Sequence, residues 1–201
     1  MPSERQALAG RREAARRWQP KKIRLLLVAE GPPRDPGRGF YLEQEREPDP
    51  LFQQVCEVLF EASPPDKVAG LKELRRRGVF ALELIEAPEP RRPMADYVTA
   101  LALKLEELAP AHVVLVGAGT YDAAHGPLAR AGVPVVGVRV PFAASGSDAA
   151  FRREFRRAVV RAGLEQLIRP LKAPGAKPAK PTPPLEPESN PNPKPKSTPH
   201  P

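Results

Sequence analysis

The chain has 201 residues, 41% of them hydrophobic, with a mean hydropathy of −0.43 and a formal charge of +8. That length has room for one ordinary domain. A single cysteine, Cys56, excludes an internal disulfide and any all-cysteine metal or iron–sulfur site.

Charge and proline are both uneven. Residues 1–24 hold eight Lys/Arg and two Glu, and residues 172–201 hold five Lys, two Glu and eleven of the 28 prolines. The body between them is therefore close to neutral, and the basic ends suit a polyanion such as nucleic acid. A solubilising flank is the alternative reading of the same charges. The segment 172–201 has Leu185 as its only large apolar residue, too little to offset the entropy of ordering, and is expected to be a disordered tail. No apolar run is long enough to span a membrane, and the Arg-rich start lacks the apolar stretch of a secretory signal, so the expected location is the cytoplasm.

In chain order, residues 3–17 read as a helix opened by a Ser3/Gln6 capping box and faced with Arg11, Arg12, Arg16 and Arg17. With Trp18 and Pro20 it forms a basic arm over 1–21. The apolar run 23–28 predicts a strand buried on both faces, ended by Ala29-Glu30-Gly31-Pro32-Pro33. Phe40 and Tyr41 follow as an exposed aromatic pair. Asp49-Pro50 is an N-cap with proline at the first helical position, and Leu51, Val55, Val58 and Leu59 mark the helical face behind it. Cys56, on that apolar helix, is expected to be a small buried hydrophobe. A short helix over 66–77 stops at Gly78, and a second strand occupies 79–85. Tyr97, Leu101, Leu105 and Leu108 form a helical stripe, 112–116 a third strand, and 133–140 a fourth. The loop 141–146 precedes a last helix on which Phe151, Phe155 and Val159 share a face. Strands alternating with helices through short connections predict an α/β fold over 22–171: three α/β/α layers around a mainly parallel sheet of about four strands.

The chemistry-bearing residues cluster at predicted strand ends, where open α/β sheets bind ligands. Glu30 follows the first strand directly, and as a loop acid it is either solvated or catalytic. Phe40 either anchors its loop in the core or stacks on a ligand. Glu83 stands inside an apolar strand, so it reaches a site mouth or pairs with an arginine. The turn Gly117-Ala118-Gly119-Thr120 hints at a phosphate cradle but lacks the third glycine of a dinucleotide fingerprint. The three histidines, His112, His125 and His200, make no metal constellation, so neither a metal nor a cofactor is expected. No serine occupies a nucleophile elbow.

The succession of these segments resembles the uracil-DNA glycosylase superfamily, and most of all its bacterial branch with a Gly-Glu-Ala-Pro-Gly motif followed by Gly-Arg-Pro-Phe. Residues 29–33 match the first loosely and Gly37-Arg38-Gly39-Phe40 the second well. Glu83 falls where the family carries its uracil-reading asparagine, and 141–146 where it carries a His-Pro-Ser loop. The cluster-binding cysteines of that branch and the histidine of that loop are absent here, and Gly31 stands where other branches have Asp or Asn. The resemblance spans about residues 23–157. It implies a monomer that binds DNA, aided by the basic arm, and hydrolyses the N-glycosidic bond of a damaged base flipped into the pocket. Glu30 would position or deprotonate the water, and Phe40 would stack on the base. Gly31, Ser145 and Gly146 would bind the developing anion, and Glu83 would contact the base edge. The alternative is a non-catalytic nucleobase-, nucleotide- or nucleic-acid-binding module of the same fold.

Overall fold

The computed structural model describes residues 4–35, 37–45, 47–86, 92–142 and 148–171. The tail expected over Lys172–Pro201, Ser3 of the capping box, and Ser145 and Gly146 lie outside these residues. The elements are α1 (Glu4–Trp18), β1 (Leu25–Ala29), α2 (Pro50–Phe60), α3 (Lys67–Arg77), β2 (Val79–Glu83), α4 (Met94–Leu108), β3 (Val113–Leu115), α5 (Ala118–Arg130), α6 (Asp148–Arg161) and a terminal 3₁₀ turn, Glu165–Leu167.

The protein is a mixed α/β structure around an open sheet of three parallel strands in the order β2-β1-β3. Every residue of β1, Leu-Leu-Leu-Val-Ala, is buried, as the central strand of a sheet covered on both faces requires. The pleat divides β1 between two apolar clusters. Leu25, Leu27 and Ala29 join side chains of α2, α3 and α6, whereas Leu26 and Val28 join those of α4 and α5. Pairing sets Leu25 opposite Val79 and Ala29 opposite Glu83, which carries Glu83 to the carboxyl edge of the sheet.

Capping chemistry places the helices. Asp49 and Asp66 accept from the backbone N–H groups of Phe52 (2.9 Å) and Ala69 (2.7 Å), opening α2 and α3 where the sequence predicts. Gly78, at φ 75°, ends α3 in the left-handed region and turns the chain directly into β2. Trp18 enters the first cluster and Arg11 is buried, so α1 packs on the body and belongs with it to one compact unit, Met1–Leu171.

Two expectations are corrected. The fourth strand over 133–140 is not a strand. It pairs with β3 and the residue that follows it through isolated parallel bridges, Val113 to Val135 and Val116 to Val140. Three steps from Val113 to Val116 match five from Val135 to Val140, so two residues are left over. They are absorbed by tight turns in which Val135 N–H donates to Val133 O and Val138 N–H to Val136 O, both at 2.8 Å. Donors spent within the segment cannot build a ladder. The turn read at Gly117-Ala118-Gly119-Thr120 is the start of α5. Gly119, Gly126 and Pro127 disfavour a helix there, yet Thr120, Ala124 and Leu128 at four-residue spacing face the interior and hold it.

Candidate functional site

A cavity of about 370 Å³ opens at the carboxyl edge of β1 and β2, between the loop 31–42 and α1. Its size lies in the range of small-ligand sites. Phe40, Tyr41, Leu82 and Phe142 supply apolar wall, and Gly31, Arg11, Arg38 and Glu83 supply polar groups.

Two cations, the buried Arg11 and the half-buried Lys67, hold the loop in place. Arg11 reaches down from α1 and donates to the carbonyls of Pro33 (2.9 Å), Asp35 (2.9 Å) and Arg38 (3.3 Å). Lys67 at the start of α3 donates to Gly39 O (2.8 Å) and to the Glu45 carboxylate (2.5 Å), with its ammonium 5.0 Å from the Phe52 ring centre. Burial lowers the Lys67 pKa and the bond from Glu45 opposes that fall, an arrangement in which each charge is tolerated because of the other. Arg38 donates to Pro48 O (2.9 Å) and closes the far end of the loop. Tyr41 completes the attachment. Its hydroxyl accepts from Ala81 N (2.6 Å) and donates to Ala81 O (3.1 Å), satisfying two backbone groups on the open edge of β2.

Phe40 is 8% exposed and packs edge-on against Tyr41 (4.9 Å) and Phe52 (5.6 Å). The aromatic pair expected to be exposed is therefore mostly packed, because Arg11 and Lys67 draw its loop inward. Phe40 is thus anchored in its loop, and it also lines the cavity.

Glu83 lines the cavity at the carboxyl edge of β2. Burial raises its pKa from 4.5 to about 7. The nearby Arg11 charge opposes that rise, and the Glu86 and Asp49 carboxylates add to it. A neutral carboxyl group both donates and accepts a hydrogen bond, whereas the ionised form only accepts. Glu86 stands beside it on the cavity wall. Burial pushes its pKa up, but hydrogen bonds from Arg12 and Lys104 outweigh that and hold it low, so Glu86 ties α1 to α4 as an anion.

Glu30 lies elsewhere. It is exposed, it is not among the lining residues, and its carboxylate reaches toward the first turn of α5. A Cβ built on Gly119 would sit 3.8 Å from Glu30 Oε2. A carboxylate there complements the helix dipole and would repel a phosphate. That removes the argument for a phosphate cradle at Gly117–Thr120. Gly31, the next residue, does line the cavity, so Glu30 flanks the site from outside its wall. Ser145 and Gly146 lie outside the described residues. Phe142, 43% exposed in the same loop, reaches the cavity rim. Of the expected site residues, Gly31, Phe40 and Glu83 are thus brought together.

The sequence pattern places Arg11 on the basic surface of α1, whereas it is buried. Its signal was spacing, since Leu8, Arg11, Ala15 and Trp18 share one helical stripe. Cys56 is fully buried, where loss of hydration pushes its thiol pKa up and leaves it inert. Among the described residues no group of three His, Cys, Asp or Glu could hold a metal ion. Comparison with models of known families finds none that matches the chain, and no curated protein matches it.

Proposed function

We propose that the chain is a uracil-DNA glycosylase-like protein, with the sheet at the centre of three α/β/α layers, and that its cavity takes a nucleobase flipped out of DNA. The observation that carries this reading is Glu83, a desolvated carboxyl group at the carboxyl edge of a parallel sheet, in a small cavity walled by Phe40 and Tyr41. In its neutral form the Glu83 carbonyl accepts from a ring N–H while its hydroxyl donates to the adjacent exocyclic oxygen. That pattern matches the N–H/C=O edge shared by uracil, hypoxanthine and xanthine. With its two oxygens exchanged, the same group also complements the amino donor and ring acceptor of cytosine and adenine, so discrimination between bases requires the rest of the cavity wall. Arg11 and Arg38 add positive charge to the wall, favourable to an anionic base or to the phosphate next to it.

Hydrolysis of the N-glycosidic bond is the second step of the proposal. It rests on the sequence resemblance, with Glu30 as the candidate carboxylate: its backbone adjoins the cavity-lining Gly31, but its side chain reaches toward α5 and would have to turn to serve the cavity. A binding module without hydrolysis needs only the cavity. Oligonucleotides carrying one uracil, hypoxanthine or xanthine, in single- and double-stranded form, separate the two. Tighter binding of the modified strands than of unmodified ones is expected, with release of free base that Glu30→Gln abolishes while leaving binding intact. Preferential binding without release leaves the binding module, and equal binding to all strands contradicts the proposal.

A further inference from the structure

A second surface lies at the opposite end of the sheet. Arg24 immediately precedes β1 and Gly78 immediately precedes β2, so the groove between them sits at the amino edge, about 16 Å from the cavity along a five-residue strand. It is open and measures about 520 Å³. One wall is the connector from α1, with Lys21, Lys22 and Arg24, and the other is α3, with Lys72, Arg75 and Arg76. Arg76 is bound to Glu73, but the other five cations have no carboxylate partner among the described residues.

The two walls are rigidly joined. Arg24 N and Leu25 N both donate to Gly78 O, at 2.8 and 3.2 Å. The connector passes so close that a Cβ on Gly78 would lie 2.8 Å from Lys22 O. Lys72, Arg75 and Arg76, three and four residues apart, form one row on α3 with neighbouring Cβ atoms roughly 5–6 Å apart. Clustering like charges on a fixed frame is unfavourable unless a counter-charge fills the space between them. Two opposed rows outnumber the contacts of one phosphate group and suit a strand bearing a phosphate about every 3.4 Å.

From this arrangement we infer that the groove between the 20–24 connector and α3 binds the phosphate backbone of nucleic acid without reading its sequence. This site is separate from the cavity and independent of what the cavity takes. Helix α1 spans the distance between them, with Arg11 at the cavity and Trp18 at the groove.

The test is fluorescence anisotropy with a labelled duplex of undamaged DNA over a range of salt concentrations. It compares wild type, the triple variant Lys22→Ala/Lys72→Ala/Arg75→Ala, and a control that removes three charges from α6, Arg153→Ala/Arg157→Ala/Arg161→Ala. All three altered groove residues are exposed, and unchanged melting curves verify the fold. A single charge reversal, Lys21→Glu, provides a second and milder probe. The groove variant is expected to flatten the plot of log affinity against log salt by roughly 0.9 per lost phosphate contact, about 2 to 3 in all. It is also expected to weaken binding by at least about tenfold near 0.1 M salt, on duplexes of any sequence. Lys21→Glu should weaken binding in the same direction, and the α6 control should leave slope and affinity nearly unchanged. Wild-type affinity in the groove variant, or an equal loss in the control, overturns the inference. So does competition by polyglutamate as effective as that by unlabelled DNA, since the groove would then accept any polyanion. Because the duplex carries no damaged base, failure of the cavity reading leaves this result untouched.

Discussion

Replacing Glu83 by Gln isolates the energetic consequence of a carboxyl group held in the cavity wall. Burial raises the Glu83 pKa from 4.5 to about 7 in the folded protein. Between those values the folded state holds a proton that the unfolded state has released, so stability falls as pH rises through that window and reaches its lower level above it. At 1.36 kcal/mol per pH unit, the penalty at pH 8 is about 3 kcal/mol, and below pH 4.5 it vanishes. Glutamine keeps the shape and never ionises. The variant should therefore match wild type near pH 4 and exceed it at pH 8 by up to about 3 kcal/mol, or roughly 6–12 °C in melting temperature for a chain of this size. Thermal unfolding of both proteins at several pH values measures the difference directly, and titrating groups not coupled to Glu83 cancel. A gap that does not change with pH, or a variant less stable at pH 8, would refute the assignment of a desolvated, largely uncompensated carboxyl group to this position.

Other substitutions probe the frame around the cavity. Tyr41→Phe leaves Ala81 N–H and C=O without their partner and should lower stability by about 1–3 kcal/mol in denaturant unfolding, with little change in the m-value. Phe40→Ala removes a ring packed on Phe52 and Tyr41 and should cost about 3–5 kcal/mol while also weakening base binding; a cost below 1 kcal/mol would mean that the ring is not part of the core. Gly78→Ala forces a Cβ into a left-handed position against Lys22 O and should destabilise by at least ~1–3 kcal/mol, read as a lowered midpoint in urea.

Much of the frame was legible because it depends on local chemistry. The Asp49-Pro50 start and the Gly78 stop each follow from what one or two residues can do with their own backbone, and they stand where expected. The unbroken apolar run at Leu25–Ala29 likewise marks a central strand. The fourth strand failed for a reason that composition hides. Val133 to Val140 has the residues of a strand, but its register against β3 gains two residues, and only the partner strand can reveal that. Helix α5 was obscured by Gly119, Gly126 and Pro127, since its Thr120–Ala124–Leu128 stripe gains its value from the sheet beneath.

At the site, Glu83 was legible from a carboxylate in an apolar strand, a pattern that demands explanation wherever it occurs. Its protonation was not, because that depends on burial contributed by the distant loop 31–42 and by α1. The position of Phe40 depended on Arg11 and Lys67, which reach its loop from helices on either side of it in the chain. No local pattern encodes such long-range attachment.

The most direct test of the cavity as a nucleobase site is the pH dependence of binding to a uracil-containing oligonucleotide, measured for wild type and Glu83→Gln at constant salt and referred to an undamaged strand. Preferential binding by wild type should weaken as pH rises through about 7, because ionised Glu83 loses its donor, whereas the Gln variant should keep its preference across the same range. An identical pH profile in both proteins, or no preference for uracil in either, would contradict the account.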